Sequence, residues 1–189
     1  MYEQVFTWCI GFVPTDYHAD MIGTPRLLLR QPRPTDVDAV HAYRSRADVA
    51  RYLSAGTWSQ QKTDDELRVY ATAHLKGPGD ELVLLAELRA TQEVIGEVGL
   101  TWTDADDTAE IGYVFNPAHT GKGLASEAVG GVLSAALGAW GFNQVSARTD
   151  ADNRASRLLC ERVGMTLTAR SLSTDGRDVE EVVYTTSDA

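Results

Sequence analysis

A glycine–lysine–glycine segment at residues 121–123 lies between an apolar run and a helical pattern in this chain of 189 residues. Glycine lets the backbone approach a ligand closely, and the start of a helix attracts anions because its first N–H groups are unpaired. The segment therefore predicts a phosphate-binding turn, although a glycine turn that only starts a helix remains an alternative. A P-loop would need a hydroxyl residue in place of Gly123, and a dinucleotide-binding fingerprint would need glycine in place of Ser126.

Two carboxylates lie inside apolar, strand-like runs, Glu97 in VIGEVGL and Glu110 in AEIGYVF. Burial raises the pKa of an acid, which suits a general base, but either residue could instead face solvent from a half-exposed strand. We interpret His119 as a surface or ligand-contacting residue, and His74 as a histidine packed on an apolar helix face. No cluster of His, Cys and Asp has the spacing of metal ligands, so the sequence predicts no metal site.

Three consecutive strand-like runs between residues 81 and 115 are separated by short polar turns. Short connections favour antiparallel neighbours, because a parallel crossover needs a dozen residues or more. A later strand at 143–149 follows a predicted helix and adds one parallel unit. A final hairpin is predicted around Asp175 and Gly176. The strand-like runs are RLLLR, ELVLLAELR, VIGEVGLTW, AEIGYVF, NQVSART, MTLTARS and VEEVVYTT.

Helix signals are interspersed among these strands. Thr35 is a candidate cap for a first helix, and the capping box TDDE at residues 63–66 predicts a second helix that ends at Gly77. Apolar periodicity predicts two more helices, over residues 124–140 and 153–163. The order of elements indicates a mixed sheet with helices on its faces, and it excludes a repeated βαβ fold.

Composition indicates one globular domain, with 43% apolar and 23% charged residues. The formal net charge of -10 argues against nucleic acid or an anionic membrane as partner and favours a cationic one. No apolar run approaches the roughly 18 residues of a membrane span. Cys9 and Cys160 offer no disulfide framework, which suits a reducing cytoplasm. Residues 1–22 do not resemble a signal peptide, and we expect an N-terminal extension before a single domain at 23–189.

Several ordered segments together resemble the GNAT superfamily of acyl-CoA-dependent N-acyltransferases. Within it, the chain is most similar to the branch typified by the ribosomal-protein N-terminal acetyltransferases RimJ and RimL. The resemblance covers roughly residues 24–186 and implies an α/β (α+β) fold, with a mixed, mostly antiparallel central sheet and helices on both faces. The segments are TPRLLLRQPRPTDVDAV, ARYL, EIGYVF, NPAHTGKGLASEA and DNRASRLLCERVGM.

The resemblance implies that acetyl-CoA is the co-substrate, and it assigns the contacts. The backbone of Tyr113, Val114 and Phe115 would run along the pantetheine, with an amide near Val114 polarising the thioester carbonyl. Asn153 would hydrogen-bond the pantetheine, and Thr120 departs from the usual Gln or Arg of the loop pattern. The rings of Tyr113 and Phe115 are interpreted as core packing. The pyrophosphate contacts would be Gly121, Lys122, Gly123, Leu124, Ala125 and Ser126.

The resemblance also implies the catalytic groups. Many members place a tyrosine seven residues after the asparagine to protonate the leaving thiolate, and Cys160 stands there in this chain. The RimJ/RimL-like branch instead has the serine that Ser156 matches, so Ser156 is the expected proton donor, with Cys160 as the alternative. Glu110 is the preferred general base, and Glu97 or a water relay stays open.

The expected activity is acetyl-CoA-dependent N-acetylation of a primary amine by direct attack in a ternary complex, with a protein N-terminal α-amine favoured. The alternatives are a small amine such as a polyamine or antibiotic, and a non-catalytic acyl-CoA-binding regulatory module. The resemblance places the acceptor pocket between the early helices and the last hairpin, and it leaves a homodimer open. Its candidate lining residues are Arg51, Tyr52, Trp58, Trp102 and those around Asp175.

Overall fold

The computed structural model describes residues 21–103, 107–173 and 178–187. Eight strands form one sheet in the order β1-β2-β3-β4-β5-β6-β8-β7. All neighbouring strands are antiparallel except β5 and β6, which are parallel. The strands are β1 Met21–Gly23, β2 Leu27–Arg30, β3 Glu81–Leu88, β4 Val94–Trp102, β5 Thr108–Phe115, β6 Gln144–Asp150, β7 Thr166–Leu172 and β8 Glu180–Ser187.

Helices cover both faces of this sheet, because each face carries its own apolar cluster. The larger cluster packs α4 and α5 against one face. The smaller one packs α1 and α3 against the other and includes Val40, Tyr43 and Leu67. The mixed, mostly antiparallel sheet with helices on both faces is therefore confirmed. The helices are α1 Val37–Arg44, α2 Ala47–Ala50, α3 Gln60–Tyr70, α4 Leu124–Leu137 and α5 Arg154–Arg162.

The predicted boundaries of α3 are wrong at both ends. Ser59 is its N-cap and accepts a hydrogen bond from the Lys62 N–H at 3.2 Å, so the supposed capping box lies inside the helix. The Thr72 hydroxyl bonds the Val69 carbonyl at 3.2 Å just after the last turn, which competes with continued helix. Consequently His74 lies outside the helix and is exposed, contrary to its predicted packing on a helix face.

Smaller corrections apply to the other helices. A 3₁₀ turn, Pro34–Asp36, precedes α1, so Asp36 rather than Thr35 occupies its N-cap position. Helix α4 ends at Leu137, three residues before the predicted end. The turn of the final hairpin around Asp175 and Gly176, and Cys9 with the rest of residues 1–20, lie outside the described residues.

The sheet opens between β5 and β6. These strands pair only where Thr108–Glu110 meet Gln144–Ser146. Beyond that point, residues 111–115 of β5 and 147–150 of β6 are described but no longer paired with each other. The open edge of β5 is the first feature of the fold that can receive a ligand, because its outward backbone groups lack a neighbouring strand.

A buried charge cluster fastens the first strands to α1. The Arg30 guanidinium bonds both oxygens of Asp36, at 2.7 and 2.9 Å, and the Glu87 carboxylate at 2.7 Å. All three residues are less than 10% exposed. The cluster joins β2, β3 and the start of α1, and thereby fixes the helix that packs over β4.

Candidate active site

Two cavities, of about 540 and 680 Å³, approach the opening between β5 and β6. The smaller is lined by α1, the α2–α3 segment and the sheet, and the larger by the glycine loop, α4 and α5. Both reach the same residues at their junction: Tyr52, Leu53, Tyr113, Val114, Asn153 and Ser156. A donor on one side and an acceptor on the other would therefore meet there.

The glycine loop lines the larger cavity and leads directly into α4. Gly121 and Gly123 have φ values of 80° and 72°, in the left-handed region that favours glycine. Gly123 is the N-cap, so the first N–H groups of α4, including those of Leu124 and Ala125, have no partner within the helix. Leu124, Ala125 and Ser126 line the cavity, whereas Lys122 is exposed and outside its lining. The loop has the geometry of an anion site.

Charged and polar residues just before β2 hold this loop and the start of α4 in place. Glu127 accepts hydrogen bonds from the Thr24 hydroxyl and the Arg26 backbone N–H, both at 2.7 Å, and pairs with the Arg26 guanidinium. Arg26 Nη1 also donates to the Lys122 carbonyl at 2.9 Å. Arg26 thus ties the start of β2 to the middle of the glycine loop.

Arg26→Ala is expected to raise the KM for acetyl-CoA about fivefold with little change in kcat, because an exposed pair worth up to about 1 kcal/mol no longer orders the loop. Steady-state kinetics with varied acetyl-CoA measure the effect. Arg68→Ala, which breaks the exposed Arg68–Asp64 pair on α3, is the matched control and should leave this KM unchanged. Equal KM values for both variants would show that Arg26 does not order the glycine loop.

The β4–β5 ladder decides which amides of β5 face the opening. At one end of the ladder the N–H of Asn116 donates to the Ile95 carbonyl, and at the other end the N–H of Thr103 donates to the Thr108 carbonyl. Ile95–Asn116 and Thr103–Thr108 are therefore both hydrogen-bonded pairs, and every second pair between them is one as well. Antiparallel pairs alternate, and the Glu97–Val114 pair therefore exchanges hydrogen bonds across this ladder. The Val114 N–H points to β4, which does not support it as the oxyanion donor, while the Tyr113 and Phe115 amides face the open edge.

Asn153 and Ser156 lie at the start of α5, at the junction of the cavities. The Asn153 side-chain oxygen accepts the Ser156 N–H at 3.2 Å, so Asn153 caps the helix and its side-chain amide group remains available. The Tyr113 hydroxyl lies 2.8 Å from Ser156 Oγ and 3.3 Å from Cys160 Sγ. Cys160 is buried within the larger core cluster. The interpretation of the Tyr113 ring as packing alone therefore missed a polar contact.

Glu97 is buried and fully engaged. Its carboxylate pairs with Arg44 and accepts the Tyr43 hydroxyl at 2.9 Å. Arg44 in turn lies over the Trp58 ring, 4.1 Å from its centroid. Because it is tied to a cation and a phenol, Glu97 is better suited to shaping the cavity than to accepting a proton.

Glu110 faces the smaller cavity from β5, with 42% of its side chain exposed. Arg148 of β6 lies between Glu110, at 3.9 Å, and Glu181 of β8, at 3.5 Å. Glu110 is therefore accessible from the cavity and only loosely paired, which leaves it free to contact an amine.

Glu81 is a cavity carboxylate that the sequence analysis did not single out. Surrounding protein raises its pKa above the usual value, and the charges of Glu66 and Glu97 raise it further. Its Oε1 would lie 3.4 Å from a Cβ atom placed on Gly99, so the carboxylate leans over that glycine. A Cβ on neighbouring Gly112 would meet nothing within 4 Å. Gly99 and Gly112 pair with each other and leave a side-chain-free trough beside the row that Glu81, Thr101 and Glu110 form across the sheet.

The remaining candidates are divided between the site and the core. Tyr52 and Trp58 line the smaller cavity, whereas Trp102 packs edge-on against Phe142 with ring centroids 5.1 Å apart. Arg51 lies over the Tyr52 ring and outside the cavity lining. His119 lines the larger cavity and contacts Glu93 through Nε2 at 3.0 Å, with 12% of its side chain exposed.

Comparison with known proteins identifies this architecture. Residues 26–166 match the acetyltransferase (GNAT) domain family. The chain belongs to the GNAT acetyltransferases. This GNAT protein is 31% identical over 146 residues to the uncharacterized N-acetyltransferase YoaA of Bacillus subtilis, covering 76% of this chain and 81% of YoaA. The acyltransferase assignment and the family resemblance are thereby confirmed.

Solved structures give the same fold. A GNAT-family acetyltransferase from Bacillus anthracis superposes with a TM-score of 0.78 at 25% identity, covering 88% of this chain and 98% of that one. RimL, a ribosomal L7/L12 alpha-N-protein acetyltransferase in complex with coenzyme A, has a TM-score of 0.77 at 19% identity, covering 89% and 98%. GNAT acetyltransferases use acetyl-CoA as the acyl donor.

Neither a metal site nor a membrane-spanning helix is present among the described residues. No group of three or more His, Cys, Asp and Glu side chains there is arranged to hold a metal ion. In the same part of the chain, no helix has the length and apolar character needed to cross a membrane.

Proposed function

We propose that this GNAT enzyme transfers acetyl from acetyl-CoA to a primary amine by direct attack in a ternary complex, and that a protein N-terminal α-amine is the favoured acceptor. One observation carries the proposal: two cavities on opposite sides of the opened sheet meet at Val114, Asn153 and Ser156. Such a junction lets the acceptor reach a thioester without a covalent enzyme intermediate.

The donor would occupy the larger cavity. Its pyrophosphate would bind residues 121–126, where glycine backbone, unpaired helix amides and the Lys122 charge favour an anion. Its pantetheine would pair with the open edge of β5 and with the Asn153 side chain. The outward N–H groups of Tyr113 and Phe115 are then the candidates to polarise the thioester carbonyl.

The acceptor would occupy the smaller cavity, whose lining carries more acids than bases. A cationic amine is attracted to such a lining, since low-dielectric walls strengthen the field of the carboxylates. Arg44 and Arg148 are the only basic residues in the described lining. The acidic residues there are Glu81, Glu97, Glu110, Asp150 and Glu181.

The chemistry needs a neutral amine and a protonated leaving group. Glu110 would accept a proton from the amine, directly or through water, with Glu81 as a second carboxylate in the same cavity. The amine nitrogen then forms a bond to the carbonyl carbon, and the C–S bond breaks with its electron pair going to sulfur. Ser156 would give its proton to the sulfur and regain one, through water, from the nitrogen that has become cationic on forming the new bond, while Glu110 releases its proton to solvent.

The N-terminal acceptor is favoured because RimL, which shares this fold, is an alpha-N-protein acetyltransferase. The acidic lining equally suits a polyamine or an aminoglycoside antibiotic. We also propose that residues 23–189, together with Met21 and Ile22 of β1, form the single catalytic domain, and that the residues before them extend it. We propose that the enzyme works in the cytoplasm, where the free thiol of Cys160 would stay reduced.

Release of free CoA thiol tests the proposal across an acceptor panel. A peptide with a free N-terminus and no lysine is expected to give acetyl-CoA-dependent release, and the same peptide with a blocked N-terminus is the matched control. Release with polyamines or aminoglycosides alone would replace the protein acceptor by a small one. Thermal stabilisation by acetyl-CoA without release for any acceptor would instead support a non-catalytic acyl-CoA-binding module.

A further inference from the structure

The Tyr113 hydroxyl is placed where a second polar group can act on Ser156. It comes from β5 and lies 2.8 Å from Ser156 Oγ on α5, across 43 residues of sequence. It also lies 3.2 Å from the Ser156 carbonyl and 3.3 Å from Cys160 Sγ. Both Tyr113 and Ser156 line both cavities, so this contact sits where donor and acceptor would meet.

The state of the phenol allows it to donate this hydrogen bond. Burial raises the pKa of Tyr113 far above its usual value, and the neighbouring Cys160 thiol raises it further, so the phenol keeps its hydrogen. A phenol has one hydrogen to give, whereas a serine hydroxyl can accept one bond and still donate another. The sulfur of Cys160 is a weak acceptor. Two stronger acceptors lie within reach of the phenol hydrogen, Ser156 Oγ at 2.8 Å and the Ser156 carbonyl at 3.2 Å, and Oγ is the nearer.

We propose that Tyr113 is a positioning residue that donates its hydroxyl hydrogen to Ser156 Oγ and so directs the Ser156 hydrogen towards the leaving sulfur. The inference rests on the proposed acetyl transfer. In the transfer, the C–S electron pair goes to sulfur and Ser156 supplies the proton, while Tyr113 remains a neutral phenol throughout. Charge that builds on the serine oxygen as its proton moves would strengthen the bond from Tyr113.

A double-mutant cycle tests this. Tyr113→Phe is expected to lower kcat about tenfold and to leave the KM for acetyl-CoA within about twofold, since it removes a hydrogen bond to an oxygen that gains charge in the transition state. In a Ser156→Ala background, the same change should lower kcat by less than about twofold, because the group through which Tyr113 acts is absent.

Tyr184→Phe is the matched control for helix placement. The Tyr184 hydroxyl also bonds α5, at 3.0 Å from Glu161 and 3.3 Å from Arg157, but it does not contact Ser156. Its effect on kcat should be small and equal in both backgrounds. Thermal unfolding of each variant shows whether a loss of kcat follows a loss of stability.

Distinct results separate this inference from the proposed function. A tenfold loss that persists unchanged in the Ser156→Ala background would overturn the link between Tyr113 and Ser156, and so would an unaltered kcat in Tyr113→Phe alone. Both outcomes leave acetyl transfer by the unmodified enzyme intact. An unmodified enzyme that releases no thiol with any acceptor would overturn both.

Discussion

Glu110→Gln is expected to lower kcat at pH 7 about a hundredfold or more, the usual range for loss of a general base. The amide keeps the shape of the side chain and its reach into the cavity but cannot accept a proton. Because the change acts on proton transfer rather than on donor binding, the KM for acetyl-CoA should stay nearly constant. Thiol release across a pH series measures the effect, and the loss should shrink at high pH, where more of the amine enters neutral.

Glu81→Gln is the informative comparison. It removes the other carboxylate beside the Gly99–Gly112 trough, and we expect a loss of only a few-fold, from weaker attraction of the cationic acceptor. A hundredfold loss in Glu81→Gln together with a small one in Glu110→Gln would transfer the role of base to Glu81. Comparable small losses in both variants would leave proton removal to water.

Arg30→Leu is expected to destabilise the fold by about 3–5 kcal/mol, the range found when one partner of a buried ion pair is removed. Asp36 and Glu87 would remain buried at 6% and 7% exposure with no cation between them. Urea unfolding followed by circular dichroism measures the loss as a lower midpoint at an unchanged slope.

A triple variant shows whether the loss comes from uncompensated charge. Arg30→Leu combined with Asp36→Asn and Glu87→Gln removes all three charges, and we expect it to recover a substantial part of the stability. No recovery would mean that the packing of the Arg30 side chain, rather than its charge, holds β2 to α1. Arg46→Ala, which breaks an exposed pair with Asp48, should change stability by less than about 1 kcal/mol.

Much of the fold was accessible from the sequence because its signals are local. Strand-like apolar runs marked β3, β4 and β5, and the short turns between them favoured antiparallel order, which the sheet confirms. The glycine loop could be recognised as the start of α4 because positive φ values and a helix N-terminus are properties of adjacent residues. The predicted start of α3 was wrong because Ser59 and Thr63 are both good N-cap residues, and local preference could not choose between them.

The finer site could not be predicted, because its contacts join distant segments. The Tyr113–Ser156 contact and the Arg26–Lys122 tether depend on which elements pack together. The engagement of Glu97 by Arg44 and Tyr43 likewise requires α1 to lie over β4. Glu81 was overlooked because a glutamate at the start of a strand is common and usually faces solvent. Its carboxylate turns into the cavity over Gly99, which has no side chain there, and that contact depends on how β3 and β4 pair.

The short pairing of β5 with β6 has a mechanical consequence. Three residue pairs join the five-stranded part of the sheet to the three-stranded part, whereas seven residue pairs join β4 to β5. A pantetheine chain bound along β5 would add contacts where β5 and β6 pair only briefly. Donor binding would then be coupled to the pairing of β5 with β6. The contacts that hold the thioester would also stabilise the two parts of the sheet against local separation.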